Sequence, residues 1–175
     1  MKKQFSSENT ILEHKLIPPL EWSLLKPAQD DPFLGKGSFG VVLKYTKRNE
    51  PFQNFAVKLM KTEGVYDEEI SNEIKALEKV QTYDQYFPKY FGHVKYQNKS
   101  NNDIEYALVF ELAQGNLKEF LKTQKYGLTF QENLELLGCL SMGLFILKEK
   151  GIAHRDIKPS NILYFQDSDN QIQIE

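Results

Sequence analysis

Eight residues near the carboxyl end of the chain place three chemically useful side chains within six positions. The run at 154–161 reads His-Arg-Asp-Ile-Lys-Pro-Ser-Asn. Asp156 can accept the proton of a hydroxyl nucleophile, and Lys158 can neutralise charge on a phosphoryl group. The carboxamide oxygen of Asn161 can bind Mg²⁺. The alternative is a charged loop that is merely solvated. Such a loop would rarely place these side-chain types at these three positions by chance, so the run favours phosphoryl transfer.

A glycine-rich segment at 34–42 is a second candidate site. Its Gly-x-Gly-x-x-Gly spacing alone is a weak signal, because dinucleotide-binding folds and ordinary turns share it. The last glycine, Gly40, leads into Val-Val-Leu-Lys-Tyr, which predicts a strand rather than the helix of a dinucleotide fold. We therefore predict a hairpin whose glycines let backbone N–H groups approach phosphate oxygens.

The next predicted strand carries a lysine, Lys58, on the same face as a small alanine. Residues 55–60 alternate, so Ala56, Lys58 and Met60 share one face and the larger apolar residues share the other. Taken alone, Lys58 also fits the solvated face of an edge strand. The glycine hairpin just upstream favours a phosphate-binding lysine instead.

A helix is predicted at 67–80, where apolar residues recur every three or four positions. Glu73 falls within the inward stripe of that helix, and a carboxylate there is costly unless it is paired. Lys58 is the obvious partner. Glu69 is a weaker candidate because its helical neighbours are polar, and a solvated Glu73 on the helix flank is the alternative.

In this order and spacing, the segments resemble the serine/threonine type of the eukaryotic protein kinase family. The resemblance implies an α+β fold with a kinase domain over 31–175 and an N-terminal extension over 1–30. Within the domain it implies a complete β-rich small lobe at 31–110, a hinge at 111–116 and part of a helical large lobe at 117–175. It further implies ATP and Mg²⁺ as cofactors and a protein serine or threonine hydroxyl as substrate.

The resemblance also assigns roles to residues. Asp156, Lys158 and Asn161 would be catalytic, with Asn161 also a metal ligand, and Phe110 would guard the back of the adenine pocket. Backbone groups of Glu111 and Ala113 would hold the purine. The implied ATP-binding set is Leu34, Gly35, Lys36, Gly37, Ser38, Phe39, Gly40, Val42, Ala56, Lys58, Glu73, Glu111 and Ala113, with Phe39 shielding the phosphates from water.

Composition limits the class of protein. The 175 residues are 41% hydrophobic and 26% charged, as in a soluble globular domain. A net charge of -2 gives no nucleic-acid or membrane signature. The single cysteine, Cys139, cannot form an intrachain disulfide, and the first residues lack the apolar core of a signal peptide. We therefore expect an intracellular, cytoplasmic protein without nucleic-acid or membrane partners.

Further elements follow from local patterns. The segment 10–13 predicts a short helix that the prolines at 18 and 19 would end. The apolar residues at 20–25 would pack on the small lobe or bind a partner. Strands are expected near 92–96 and 105–110, and a hairpin is expected between 162–164 and 171–174. A capping box at 129–132 opens a long helix that ends at Gly151. Its predicted inward leucines are Leu134, Leu137, Leu140, Leu144 and Leu147.

The resemblance is incomplete at its carboxyl end. In the family, the strand corresponding to 171–175 runs almost at once into Asp-Phe-Gly, whose Asp is the main Mg²⁺ ligand. The 175 residues contain no Asp-Phe-Gly, no activation segment and no Ala-Pro-Glu. We therefore expect either a kinase represented by a fragment or a catalytically inactive nucleotide-binding or regulatory module. A kinase acting on small molecules is a distant third. A partner protein is a further expectation, since part of the large lobe would otherwise be uncovered.

Overall fold

The computed structural model describes residues 10–17, 20–37, 40–60, 67–98, 102–166 and 172–174. The chain forms two compact units. The first comprises 1–75 with 90–112, and the second comprises 76–89 with 113–175. The first unit is rich in strands and the second in helices, as expected for an α+β fold.

The first unit is built on an antiparallel sheet of seven strands. The order across the sheet is β1-β6-β7-β5-β4-β2, and β3 also pairs with β4. The strands are β1 (Thr10–Leu16), β2 (Leu25–Pro27), β3 (Phe33–Gly37), β4 (Gly40–Lys47), β5 (Glu50–Met60), β6 (Tyr90–Gln97) and β7 (Ile104–Glu111).

One face of the sheet carries the core of the first unit. The predicted alternation of β5 is confirmed, since Phe55, Val57 and Leu59 are buried on this face while Ala56 and Lys58 are half-buried. The buried members of this core are Leu20, Trp22, Leu25, Tyr45, Phe55, Val57, Leu59, Val94, Tyr96, Ala107 and Val109. Helix α1 (Asp67–Val80) buries Ile70 and Ile74, as its apolar period predicts.

The beginning of the chain differs from the sequence-based expectation. The prediction of a short helix from the segment 10–13 is wrong. Residues 10–16 instead form β1, which pairs antiparallel with β6 from Thr10↔Gln97 to Leu16↔Gly92. A capping signal is local, whereas β1 is fixed by a partner strand about eighty residues further along the chain. Strand β2 joins the other side of the sheet through β4. Residues of the expected N-terminal extension are therefore part of the sheet.

The second unit combines two helices with a small sheet. Its elements are β8 (Gly115–Asn116), α2 (Leu117–Thr123), α3 (Phe130–Glu149), β9 (Leu163–Gln166) and β10 (Ile172–Ile174), and the strands are ordered β10-β9-β8. The predicted hairpin is present as the antiparallel pair β9 and β10.

Side-chain caps fix where both helices of the second unit begin. The Asn116 side chain accepts a hydrogen bond from the Glu119 backbone N–H at the start of α2. The predicted capping box at the start of α3 is confirmed. Thr129 Oγ1 accepts from the Glu132 backbone N–H at 3.2 Å, and the Glu132 carboxylate accepts from the Thr129 backbone N–H at 2.6 Å. The hydrogen bonds that the Glu132 carboxylate accepts from the Thr129 backbone N–H and from the Thr129 hydroxyl lower the Glu132 pKa.

The leucine stripe of α3 is only partly buried. Leu147 is buried and Leu140 half-buried, but Leu134, Leu137 and Leu144 are 48%, 59% and 46% exposed. These three leucines therefore do not point into a core formed by the described residues, which agrees with the expectation that part of the large lobe is uncovered. Periodicity identifies an apolar face but not the element that covers it.

We expect Gly92→Ala to disrupt the pairing of β1 with β6. Gly92 has φ +116, and a Cβ there would lie 1.9 Å from the Lys15 carbonyl oxygen. A side chain would add backbone strain and a steric overlap, costing about 3 kcal/mol or more of unfolding free energy. Urea unfolding measures the loss, and hydrogen exchange at the 10–16 amides locates it.

The control is Gly127→Ala. Gly127 also has positive φ (+72), but a Cβ there meets nothing within 4 Å. It should cost only about 1–2 kcal/mol of backbone strain. Equal losses, with unchanged exchange in β1, would contradict the close approach at Gly92.

Candidate active site

The predicted partner of Lys58 is present in the first unit. Lys58 Nζ lies 2.5 Å from Glu73 Oε1, joining the middle of β5 to the middle of α1. The two side chains are 26% and 32% exposed, so the pair is partly withdrawn from water. Because each charge needs the other there, the ion pair holds the ammonium at a fixed place on the sheet face that carries Ala56.

The glycine segment forms the predicted hairpin between β3 and β4, with Gly37 opposite Gly40. A Cβ at Gly40 would lie 2.1 Å from the Leu59 carbonyl oxygen, so the absence of a side chain is required by packing against β5. At Gly35 and Gly37 a Cβ would meet nothing within 4 Å. These two positions leave open space, as a ligand-covering hairpin needs. Ser38 and Phe39, including the predicted shielding role of Phe39, lie outside the described residues.

Three predicted catalytic side chains are brought together in the second unit. Lys158 Nζ lies 2.8 Å from Asp156 Oδ2. Asn161 Nδ2 donates to both the backbone carbonyl and Oδ2 of Asp156, at 2.9 Å each. A 3-10 turn, Pro159–Asn161, makes this contact possible by folding Asn161 back toward Asp156.

The backbone beside Asp156 is unusual. Arg155 has φ 65, in the left-handed region that non-glycine residues seldom adopt. The Asp156 backbone N–H in turn donates to His154 Nδ1 at 3.3 Å. Such conformations cost free energy and concentrate at functional sites, so this strain agrees with a loop shaped for chemistry.

The charge state of Asp156 follows from its contacts. The hydrogen bond from Lys158, followed by that from Asn161, lowers the pKa of the Asp156 carboxyl below its ordinary value. Both bonds favour the charged form. The carboxylate therefore stays ionised through the neutral range, although its side chain is largely exposed.

The predicted hinge spans the point in the sequence where the two units join. Glu111 is the last residue of β7, Leu112 and Ala113 follow without regular structure, and β8 begins at Gly115. The Gln114 backbone N–H donates to the Tyr164 carbonyl at 3.1 Å, which ties the second part of the hinge to β9.

Sequence reasoning missed the residues that hold Phe110. The Tyr90 ring lies 5.4 Å from the Phe110 ring between centroids, and the Tyr90 hydroxyl lies 2.9 Å from His93 Nδ1. Tyr90 and His93 are both buried. His93 belongs to none of the motifs found in the sequence. The signal that could have found it is its position on β6, next to the strand that carries Phe110.

The described residues offer few ligands for a metal. They contain no group of three or more His, Cys, Asp and Glu side chains placed to hold an ion. The side-chain oxygen of Asn161 is nevertheless of the hard type that Mg²⁺ prefers, and Mg²⁺ usually keeps waters and phosphate oxygens as its other ligands. The donor set therefore fits a Mg²⁺ ion that arrives with a nucleotide.

Comparison with known proteins agrees with this geometry. A family model described as the protein kinase domain matches residues 29–175. Curated relatives include a probable serine/threonine-protein kinase, gdt2, of Dictyostelium discoideum and serine/threonine-protein kinase prp4 of Schizosaccharomyces pombe. Each is 31% identical, over 75% and 74% of this chain respectively. The chain belongs to the eukaryotic serine/threonine protein kinase family.

The relatives are much longer than this chain, which spans 7% of gdt2 and 27% of prp4. Homeodomain-interacting protein kinase 2 of Mesocricetus auratus is also 31% identical, over 75% of this chain and 11% of its own length. Among solved structures, Rad53 1-466 in complex with AMP-PNP superposes with a TM-score of 0.67 at 23% identity. That match covers 86% of this chain and 37% of the other, and it shows the fold.

Family membership also bears on α3. By length and composition alone this helix could cross a membrane. Such a signal is weak because core helices of soluble domains share it. Since α3 lies within the residues that match the kinase domain, we interpret it as a helix of that domain.

We predict that Lys158→Met raises the pKa of the Asp156 carboxyl. The variant removes the hydrogen bond that contributes most to the lowered pKa, while Asn161 continues to donate. Protonation of Asp156 should then occur at higher pH than in the wild type. NMR titration of the side-chain carboxyl measures the change, and Lys125→Met serves as a lysine control. An unchanged Asp156 midpoint in Lys158→Met would contradict the contact.

Proposed function

We propose that this segment carries the nucleotide-binding and phosphoryl-transfer groups of a serine/threonine protein kinase. The reaction would move the γ-phosphoryl group of ATP to a serine or threonine hydroxyl of a protein. The observation that carries the proposal is the Lys58–Glu73 ion pair in a chain that also holds Asp156, Lys158 and Asn161 in mutual contact.

In the first unit, Lys58 would bind nucleotide phosphates while Glu73 holds its ammonium in place. Ala56, on the same face of β5, would leave room for the adenine ring, and Leu34 on β3 and Val42 on β4 would also belong to the nucleotide site. The open space above Gly35 and Gly37 would admit backbone N–H groups to the phosphates. Backbone groups of Glu111 and Ala113 would bind the purine edge.

In the second unit, Asp156 would orient the substrate hydroxyl and accept its proton as the oxygen attacks phosphorus. Its lowered pKa keeps it ionised and ready to accept a hydrogen bond from that hydroxyl. Lys158 lies beside the carboxylate and would neutralise charge on the transferred group. The Asn161 side-chain oxygen would contribute a ligand to Mg²⁺, which when bound screens the charge of the phosphate oxygens.

The family uses ATP and Mg²⁺ in general, and we extend both to this chain together with a protein substrate. An intracellular location would supply these reactants. The alternative is a module that binds nucleotide without transferring phosphate.

Lys58→Met should weaken binding of an ATP analogue. The change removes the ammonium that would contact the phosphates and leaves Glu73 without its partner. A hydrogen bond to a charged group contributes about 1.5–3 kcal/mol, so we expect roughly a tenfold or greater rise in Kd, measured by calorimetric titration.

The matched control is Lys47→Met. Lys47 also forms an ion pair at 2.5 Å, with Glu50, in the same sheet, but its side chain belongs to the far end of β4. Its loss should leave nucleotide affinity unchanged. Equal affinities for the wild type and Lys58→Met would remove Lys58 from the site.

Asp156→Asn should abolish phosphoryl transfer in the protein that carries this segment. A positioned general base contributes about 10²–10⁴-fold to the rate, and the amide cannot accept the proton in the same way. Radiolabel transfer from ATP to a generic protein substrate measures the effect. Nucleotide affinity should remain near that of the wild type, because Asp156 would act on the hydroxyl.

The same assay on the 175-residue chain tests the alternative. We expect binding with little transfer, since these residues supply only part of the metal-binding set that the family uses. Robust Mg²⁺-dependent transfer by this chain, lost in Asp156→Asn, would show that 175 residues suffice. Transfer that persists in Asp156→Asn would overturn the proposed role of Asp156.

A further inference from the structure

Residues 20–28 form a segment that we call the strap. It consists of Leu20, Glu21, the 3-10 helix Trp22–Leu24, strand β2 and Ala28. The strap lies before the residues that match the kinase family model, which begin at 29.

Backbone hydrogen bonds fix the path of the strap across the sheet. Just before it, the Ile17 N–H donates to the Phe91 carbonyl on β6 at 2.8 Å. At its other end, the Leu24 carbonyl accepts a hydrogen bond from the Arg48 N–H at 2.7 Å. The Ala28 N–H donates to the Lys44 carbonyl at 2.9 Å, where β2 pairs with β4. Strands β7 and β5 lie between β6 and β4 in the sheet. Leu20 and Trp22 of the strap accordingly lie in one cluster with buried residues of both β7 and β5.

The strap buries its apolar side chains behind the strand that carries Lys58. Leu20, Trp22 and Leu25 are buried in one cluster with Phe55, Val57 and Leu59 of β5. The Trp22 ring lies 5.8 Å from the Tyr45 ring between centroids, and Tyr45 is paired with Phe55 across β4 and β5. Side chains alternate along a strand, so Val57 and Leu59 point to the strap side and Lys58 to the opposite side.

We propose that the strap is a positioning element for Lys58 and that Trp22 is its main positioning residue. This inference rests on the proposed function, in which Lys58 binds nucleotide phosphates. Together with the hydrogen bonds of β5 to β4 and β7, packing of Phe55, Val57 and Leu59 under the strap fixes the rotation of β5 about its own axis. That rotation sets where the Lys58 ammonium stands relative to Glu73 and to the phosphates.

The test compares ATP with adenosine, which lacks the phosphates that Lys58 would contact. In the intact protein, we expect Trp22→Ala to weaken ATP affinity about three- to tenfold, because neighbouring groups are commonly coupled by free energies of this size. Adenosine affinity should be unchanged. Trp22→Phe keeps an aromatic ring against Tyr45 and should restore ATP affinity. General loosening of the first unit would instead weaken both ligands.

A milder variant covers the case in which Trp22→Ala does not fold. Arg48 Nε donates to the Ser23 carbonyl at 3.1 Å in an exposed position, so Arg48→Ala loosens the strap without opening the core. It should lower ATP affinity relative to adenosine in the same direction, by about twofold, as expected for one exposed hydrogen bond.

The outcomes separate this inference from the proposed function. If Lys58→Met selectively weakens ATP binding but neither strap variant does, the positioning role is overturned and the proposed function stands. Equal losses of ATP and adenosine affinity in Trp22→Ala also overturn it. If Lys58→Met leaves the ratio of ATP to adenosine affinity unchanged, the proposed function fails and the role of the strap fails with it.

Discussion

The ion pair between Lys58 and Glu73 is the constraint around which the first unit is organised. A lysine in the middle of β5 and a glutamate in the middle of α1 are both partly withdrawn from water, and each would be costly there alone. Their contact at 2.5 Å is satisfied only if the helix lies at one height along the strand. The buried Ile70 and Ile74 hold the helix by apolar contact, and the ion pair selects its register.

The loop at 154–161 depends on a different kind of constraint. Here the side chains are exposed, so burial does not fix them. Asp156 is held by Lys158 and by two bonds from Asn161, within a loop that includes a left-handed residue and a 3-10 turn. Local hydrogen bonds therefore hold these side chains of the second unit in position, as packing does in the first unit. This explains why a short sequence motif is so informative for the loop.

How much of the structure can be predicted from the sequence depends on how far apart in sequence the interacting residues lie. The alternation of β5 and the capping box of α3 arise between residues close in sequence, and pattern and spacing identified both. The contacts within 154–161 are equally local, but the sequence identified the residues and not their contacts with one another. The Lys58–Glu73 pair spans fifteen positions, but it could be predicted because a carboxylate in an apolar stripe demands a cation. By contrast, β1 was misassigned because its strand partner is remote. Periodicity identified the apolar stripe of α3, and the resemblance to a larger domain implied that part of it is uncovered, but neither specified that Leu134, Leu137 and Leu144 are the exposed members.

The glycine segment shows that one motif can combine two unrelated physical demands. Gly40 is small because the Leu59 carbonyl occupies the place of a side chain, whether or not a nucleotide ever binds. Gly35 and Gly37 face open space, so only a ligand would penalise a side chain there. A descendant of this chain that abandoned nucleotide binding would be free to drift at the first two glycines while the third stayed fixed. The order in which such a motif decays would then record whether the binding site or the sheet was lost first.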